Sequence, residues 1–181
     1  MYRTTSFAPE TTVDHRVVES GVEKDNRIAT TGILQQRLVS LIDLSLTLRH
    51  IHWNVLEPVF VGVHTMIDRQ VGGVQSMIDR AAQRIAILGV TPNGLAGNLA
   101  STRSCDDYTV GRALVPEHLV ALNGVFADVI RGHRKAIDVI GRLDRKSLDL
   151  LIEQTAALET YQWFVRAHIE SGVGEPFSNA H

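Results

Sequence analysis

The sequence predicts an all-α protein folded as a four-helix bundle, in which one connection is much longer than the other two. Apolar residues recur at helical spacing in four segments, each long enough for several helical turns. Glycine or proline interrupts the pattern between successive segments, and the middle interruption runs from Gly89 to Leu114. Two helical hairpins joined by a long crossover satisfy all of these observations.

Residues 1–30 are predicted to form a flexible tail that precedes the bundle. They mix charges of both signs with Thr, Ser and Val and show no sustained hydrophobic period. The first helix is expected to begin after Thr30-Thr31, since either residue can cap it, and to carry its apolar face as far as His52.

The other helices are predicted in the same way, from the spacing of apolar residues and from the residues that start or end a helix. The bounds expected for the second, third and fourth helices are about Val59 to Leu88, Pro116 to Ile140 and Arg145 to Ser171. The crossover is expected to contain a short helix near Leu99. The bundle would therefore occupy residues 31–172, and residues 173–181 would form a short C-terminal tail.

Composition places the chain among soluble proteins of ordinary size. A length of 181 residues with 44% hydrophobic residues suits one domain, and a net charge of −2 gives no general attraction to nucleic acid. Cys105 is the single cysteine, so it forms no intramolecular disulfide and is either a reactive thiol or a spectator. The N-terminus lacks a signal-peptide core, and no apolar run is long enough for a membrane span. We therefore expect a cytoplasmic protein without a membrane partner.

Metal-binding residue types stand at regular spacing in the second predicted helix. His64 and Asp68 are four residues apart, as are Asp79 and Gln83, so each pair lies on one helical face within reach of one ion. The two pairs share nearly the same face but lie roughly 16 Å apart along the axis, because eleven residues separate Asp68 from Asp79. No single ion can bridge that distance within one chain. His52, from the preceding helix, would complete the site.

An antiparallel copy of this helix from a second subunit would bring the two half-sites together. The two-fold axis would pass close to Gly72-Gly73, which lies midway between Asp68 and Asp79. Glycine costs about 1 kcal/mol inside a helix, so a pair of glycines is reasonable where two backbones approach closely. The alternative is that the glycines only kink the helix and that the carboxylates lie on a solvated surface.

The residues named above resemble those of the Dps family, the miniferritins named as DNA-binding proteins from starved cells. H-W-N-V at 52–55 precedes the histidine and the aspartates, and Q-W-F-V-R-A-H-I-E occupies 162–170. The similarity runs over about Leu34 to Ser171. It implies a ferritin-like bundle and a hollow homododecamer that stores iron as a ferric mineral. It also implies a ferroxidase centre at each two-fold interface, where ferrous iron is oxidised, preferably by hydrogen peroxide, which protects the cell from oxidative stress.

The resemblance assigns roles to individual residues. It makes His52, His64 and Asp68 the iron ligands given by one subunit, and Asp79 a ligand given by the other. Trp53 matches the aromatic residue beside the centre, which is thought in the family to intercept radicals. A packing role for Trp53 at the corner between the first two helices is the alternative.

The chain departs from the family pattern at the second-subunit ligands. Gln83 stands where relatives have glutamate, and an amide oxygen brings no charge and cannot chelate as a carboxylate does. We therefore expect weaker iron binding and slower oxidation, with catalysis and metal binding still resting on the same five residues. Glu57, which stands where relatives commonly have glycine, is either a compensating carboxylate or a surface charge.

Two further departures concern iron entry and DNA. Many relatives line a three-fold pore with acidic residues in the third helix, whereas this chain has Arg131 there, which would repel iron unless Asp128 or Asp138 lines the channel. The N-terminal arm is close to neutral and the residues after Gly172 include no Lys or Arg, so no nucleic-acid-binding residues are predicted. The alternative function is a cage with little ferroxidase activity that associates with DNA in the nucleoid, which a gel shift across salt concentrations would detect.

Overall fold

A computed structural model describes residues 21–56, 62–103 and 106–171. Four long helices, one short helix and two two-residue strands make up this part of the chain. Their order is α1 (Lys24–Asn54), β1 (Val55–Leu56), α2 (Gly62–Ile87), α3 (Ala96–Thr102), β2 (Ala113–Leu114), α4 (Val115–Ile140) and α5 (Arg145–Glu170). The predicted four-helix bundle with a long crossover and a short helix near Leu99 is confirmed.

The first helix begins earlier than the sequence analysis expected. The prediction that Thr30 or Thr31 caps it is wrong, because α1 begins at Lys24 and Glu23 precedes it without a side-chain cap. The hydroxyl of Thr31 donates instead to the carbonyl oxygens of Arg27 and Ile28 inside the helix, at 2.9 and 3.0 Å. A threonine whose hydroxyl donates to the preceding turn is tolerated inside a helix. In the sequence, such a threonine looks the same as one that caps a helix. The flexible tail expected for residues 1–30 remains a prediction only for the part before Gly21, which lies outside the described residues.

Two apolar clusters hold the long helices together. The larger one packs Leu48 and Ile51 of α1 against Ile67 of α2 and Phe126 of α4, all almost completely buried. The smaller one forms at the opposite end of the bundle from residues such as Leu38, and it joins α1, α2, α4 and α5. Burying each large aliphatic or aromatic side chain contributes about 1.5–3 kcal/mol, so these clusters fix how the helices lie against each other.

The crossover is tied to the bundle at both of its ends. At its start, the side-chain amide of Gln35 donates to the carbonyl of Asn93 at 2.7 Å, and the backbone N–H of Asn93 donates back to Gln35 at 2.9 Å. At its end, β2 pairs in parallel with β1, with Val55 opposite Ala113. This short strand pair was not predicted from the sequence, and it lies directly after the helix that carries His52.

The last helix begins at a buried acidic cap. Asp144 accepts hydrogen bonds from the backbone N–H groups of Lys146 and Ser147 and from the hydroxyl of Ser147, and Arg84 of α2 donates to it at 2.6 Å. Burial alone would raise the pKa of Asp144. The hydrogen bonds from Ser147 and Arg84, together with the charge of Arg84, outweigh burial and lower the pKa below its ordinary value.

We predict that Asp144→Asn lowers the free energy of unfolding by about 1 kcal/mol at neutral pH, because the amide keeps some capping ability but loses the ion pair with Arg84. A carboxylate with a lowered pKa in the folded state stabilises the fold above its unfolded pKa, and this contribution is lost as the pH falls through the folded pKa. The difference between parent and variant should therefore shrink in acid. Urea unfolding of both proteins across acidic and neutral pH measures it, and a pH-independent difference would contradict the ionic explanation.

Candidate metal centre

Three of the predicted iron ligands lie together where α1 meets the start of α2. The Nε2 atom of His52 is 3.2 Å from a carboxylate oxygen of Asp68. The rings of His52 and His64 meet edge to face, with their centroids 5.0 Å apart. An imidazole pair with one carboxylate is a donor set that suits iron, manganese or zinc.

The helices position these three side chains in different ways. His64 is 8% exposed and lies on the inner side of α2. Asp68 follows one helical turn later, and its side chain is 65% exposed. His52 lies in the last turn of α1 and is one-third exposed, so it stands between the buried ring and the exposed carboxylate. The group therefore opens from the edge of the core toward the outer surface of α2.

The second pair lies farther along the same helix. Asp79 and Gln83 are both exposed and one turn apart on α2. The side-chain amide of Gln75 donates to Asp79 at 3.3 Å, which holds the carboxylate along the outer face of the helix. Gln75 was not among the predicted site residues, although its spacing of four residues from Asp79 was a readable signal.

Neither pair forms a complete site within one chain. Across residues 21–56, 62–103 and 106–171, no group of three or more His, Cys, Asp or Glu residues is arranged to hold a metal ion. The continuous helix from Gly62 to Ile87 also keeps Asp68 and Asp79 roughly 16 Å apart along its axis. A further ligand must therefore come from outside the described chain if an ion is to be held firmly.

The glycine pair of α2 has two different surroundings. A Cβ added at Gly73 would overlap the phenol of Tyr161 on α5, so this glycine makes room for a side chain of its own subunit. A Cβ at Gly72 would meet nothing within 4 Å, and this residue is exposed on the same surface as Asp68 and Asp79. The expectation that both glycines serve a contact between subunits is thus wrong for Gly73, and it stays a prediction for Gly72. The helix is continuous through both, so they do not interrupt it.

Trp53 points away from the core. It is 73% exposed, and it directly follows His52 in the last turn of α1. Trp53 therefore does not pack into the core of its own subunit. An exposed indole beside the candidate ligands is available to a second subunit or to a reactive species formed near them.

The candidate pore residues lie on the exposed surface of α4. Arg131 donates to Asp128 at 2.7 Å within the same helix, so its charge is balanced locally, and Asp138 is exposed about two turns farther on. Whether these residues line a pore stays a prediction, because a pore requires neighbouring subunits. Glu57, Cys105, residues 1–20 of the predicted N-terminal tail and the predicted C-terminal tail lie outside the described residues, and so the expectations about them also remain predictions.

Two other histidines have structural roles. Burial lowers the pKa of His118. The Nδ1 atom of His118 lies 3.0 Å from the hydroxyl oxygen of Tyr108, and the two groups are hydrogen-bonded. Burial also lowers the pKa of His133 to about 4, and its Nδ1 lies 3.0 Å from the carbonyl oxygen of Val129. Both rings are fully buried and are therefore neutral at physiological pH.

Comparison with known proteins identifies the family. A family model described as a ferritin-like domain matches residues 31–172. The chain is 49% identical over 143 residues to the DNA protection during starvation protein of Mycolicibacterium smegmatis, covering 79% of this chain and 78% of that one. The chain belongs to the Dps family.

Solved Dps structures share the fold over nearly their whole length. Dps from Mycobacterium smegmatis in a tetragonal crystal form has a TM-score of 0.81 and 46% identity, covering 86% of this chain and 94% of that one. DpsA14 from Streptomyces coelicolor has a TM-score of 0.81 and 47% identity, covering 86% and 92%. The chain is also 45% identical to the fine tangled pili major subunit of Haemophilus ducreyi over 161 residues, which is 89% of this chain and 84% of that one. The predicted ferritin-like bundle is therefore confirmed, and no helix among the described residues is long and apolar enough to cross a membrane.

Proposed function

We propose that this Dps protein oxidises ferrous iron with hydrogen peroxide at sites shared by two subunits and stores the ferric product inside a twelve-subunit shell. Iron and peroxide are both substrates in this proposal. Each site would combine His52, His64 and Asp68 of one subunit with Asp79 and Gln83 of the partner subunit. Removing both reactants together would protect a cell from oxidative damage.

The observation that carries the proposal is the meeting of His52, His64 and Asp68 at the junction of α1 and α2. The carboxylate of Asp68 lies 3.2 Å from His52, whose ring centroid is 5.0 Å from that of His64, and the group opens toward the exposed face of α2. Asp79 and Gln83 lie on an exposed part of the same helix. An antiparallel helix from a second subunit, crossing near Gly72, would bring its Asp79 toward this open side.

For this oxidation, the main task of the protein is to bind two ferrous ions close together. Two ferrous ions give up one electron each, and one hydrogen peroxide takes both electrons and two protons to form two waters. The carboxylates stabilise the higher charge of the ferric product, while the imidazoles bind ferrous iron before oxidation. Consuming the peroxide in a two-electron step leaves no hydroxyl radical in solution.

Gln83 is the reason to propose a slower centre than a carboxylate at this position would give. A neutral amide offers one oxygen and no charge to an ion whose charge increases during the reaction. Asp79, held by Gln75 at 3.3 Å, would then be the sole acidic ligand from the partner subunit. We therefore propose attenuated activity, with ordinary shell assembly.

The direct test mixes the purified protein with ferrous iron and hydrogen peroxide under anaerobic conditions. We expect the ultraviolet absorbance of ferric oxide to rise while peroxide is consumed at one molecule for every two irons, as the electron balance requires. Electron microscopy of the product should show dense mineral inside hollow particles. A protein that remains monomeric, or that leaves iron and peroxide unreacted beyond the rate in buffer, would contradict the proposal.

A further inference from the structure

An open cavity of about 600 Å³ lies between α1 and α4, away from the candidate metal centre. Residues 106–109 of the crossover cover one end of it, and Arg37, Ser40, Gly132 and Lys135 line the other. A volume of this size is ample for a small ligand. Asp128 and Arg131, the candidate pore residues, also line the cavity, and none of the five proposed iron ligands does.

Arg37 is a half-buried cation without a counterion among the described residues. Burial lowers its pKa, and no carboxylate offsets this effect. Its guanidinium lies directly over Gly132, where an added Cβ would overlap it. A desolvated guanidinium is costly unless charge-assisted hydrogen bonds satisfy it, so this group is prepared for an acceptor that the described chain does not supply.

Two further donors accompany Arg37 on the same wall of the cavity. Ser40 follows one turn later on α1, and Lys135 follows Gly132 by one turn on α4, so both lie on the helical faces that Arg37 bridges. Within the described residues, neither Ser40 nor Lys135 is engaged in a side-chain hydrogen bond or an ion pair. The three groups together provide a fork, a hydroxyl and an ammonium, which is a suitable set for a tetrahedral oxyanion.

The acidic residues of the cavity do not neutralise this set, because most have other partners. Asp43 and Asp107 both accept from Arg103, with Asp43 at 3.1 Å. Asp128 accepts from Arg131 at 2.7 Å. Arg103 and Arg131 thus engage these three carboxylates, whereas no ion pair joins Arg37 or Lys135 to a carboxylate within the described residues.

We propose that Arg37, Ser40 and Lys135 form a binding site for inorganic phosphate or a similar tetrahedral oxyanion. The anion would accept from the guanidinium fork of Arg37 and from the hydroxyl of Ser40, with Lys135 adding a second positive charge. Gly132 is part of the site because it leaves the space in which the guanidinium lies. Binding would restore to Arg37 the interactions that it loses on burial.

His133 supplies a reporter of the bound anion. Its ring is buried beside this cavity. Burial lowers the pKa of His133 most, the hydrogen bond to Val129 raises it, and the positive charge of Arg37 lowers it further. A phosphate on Arg37 would screen that charge, so the pKa of His133 should rise when phosphate binds. A role of Arg37 that is only structural would not produce this effect.

Calorimetric titration of the iron-free, assembled protein with inorganic phosphate at constant ionic strength tests the site. We expect saturable binding to the parent and at least about tenfold weaker binding to Arg37→Gln, because the charged fork is lost. Gly132→Ala should also weaken binding. The atom that its Cβ meets belongs to the end of a flexible side chain, so the helix tolerates the methyl group while the guanidinium is displaced. Arg142→Gln, at an exposed arginine in the turn after α4, is the matched control and should bind phosphate as the parent does.

Several results would overturn the inference. Phosphate that fails to saturate the parent, or that binds parent and Arg37→Gln equally, excludes the site. A parent that does not bind phosphate, combined with an Arg37→Gln variant whose assembled mass has changed, would mean that a neighbouring subunit supplies the acceptor. If Arg37→Gln does not fold, Ser40→Ala and Gly132→Ala decide the question with the same titration. None of these measurements involves iron, so their outcome is independent of the proposed ferroxidase activity.

Discussion

Replacing Asp68 with alanine is expected to slow the peroxide-dependent oxidation of ferrous iron by at least about a hundredfold, since even changes to groups that only support metal ligands cost ten- to a hundredfold. Asp68 contributes the negative charge of its half-site, and its carboxylate is 3.2 Å from His52. Its removal leaves the half-site with two imidazoles and no negative charge to bind a cation. Stopped-flow absorbance of the ferric product measures the loss. Asp149→Ala, at an exposed aspartate on α5, is the control and should oxidise iron at the parental rate.

Mixing two defective variants tests whether the site is shared between subunits. Asp68→Ala and Asp79→Ala should each be impaired, because each lacks one half of every site. When the two proteins are dissociated, mixed and reassembled, mixed dimers have one fully intact site and one doubly defective site. Roughly a quarter of all sites should then be intact if the subunits pair at random. Activity that stays at the level of the separate variants would show that the ligands do not combine across an interface.

Replacing Gln83 with glutamate is expected to accelerate iron oxidation by about ten- to a hundredfold, which is the range associated with changes around a metal site. The new carboxylate would stand one turn from Asp79 on the exposed face of α2 and would add charge where ferric iron forms. Iron should also bind more tightly before oxidation. Initial rates over a series of ferrous iron concentrations separate these two effects.

The matched control for this variant is Gln36→Glu, which adds the same charge on an exposed face of α1. A general effect of net charge on iron attraction would accelerate both variants. Acceleration confined to Gln83→Glu would support a direct role at the centre. Iron kinetics unchanged by Gln83→Glu would exclude Gln83 as an iron ligand and would remove the reason to expect attenuation.

The sequence predicted the helices well because the residues that start and end them act locally. Pro116 lies in the first turn of α4, and Gly89 with its positive φ follows α2. These residues act through their own backbone and that of their neighbours, so a pattern reveals them without tertiary information. The spacing of His64 and Asp68 was readable for the same reason.

The features that the sequence could not reveal depend on distant contacts. Thr31 could have capped a helix, and only the continuation of α1 back to Lys24 shows that it bonds inward. Gly73 looked equivalent to Gly72 until the position of Tyr161 on α5 distinguished them. The isolated charge of Arg37 is equally invisible in the sequence, because nearby carboxylates such as Asp43 and Asp128 become unavailable only when Arg103 and Arg131 fold against them.

The strand pair between β1 and β2 separates the chain into parts with different folding requirements. His52, His64 and Asp68 belong to one hairpin that is continuous in sequence, whereas Val55 meets Ala113 only after the whole crossover has closed on itself. Contacts of short sequence separation form early and tolerate changes elsewhere in the chain, because little loop entropy is lost in making them. The proposed iron ligands of one subunit therefore form a self-contained module, and a change in the length of the crossover should leave their mutual arrangement intact.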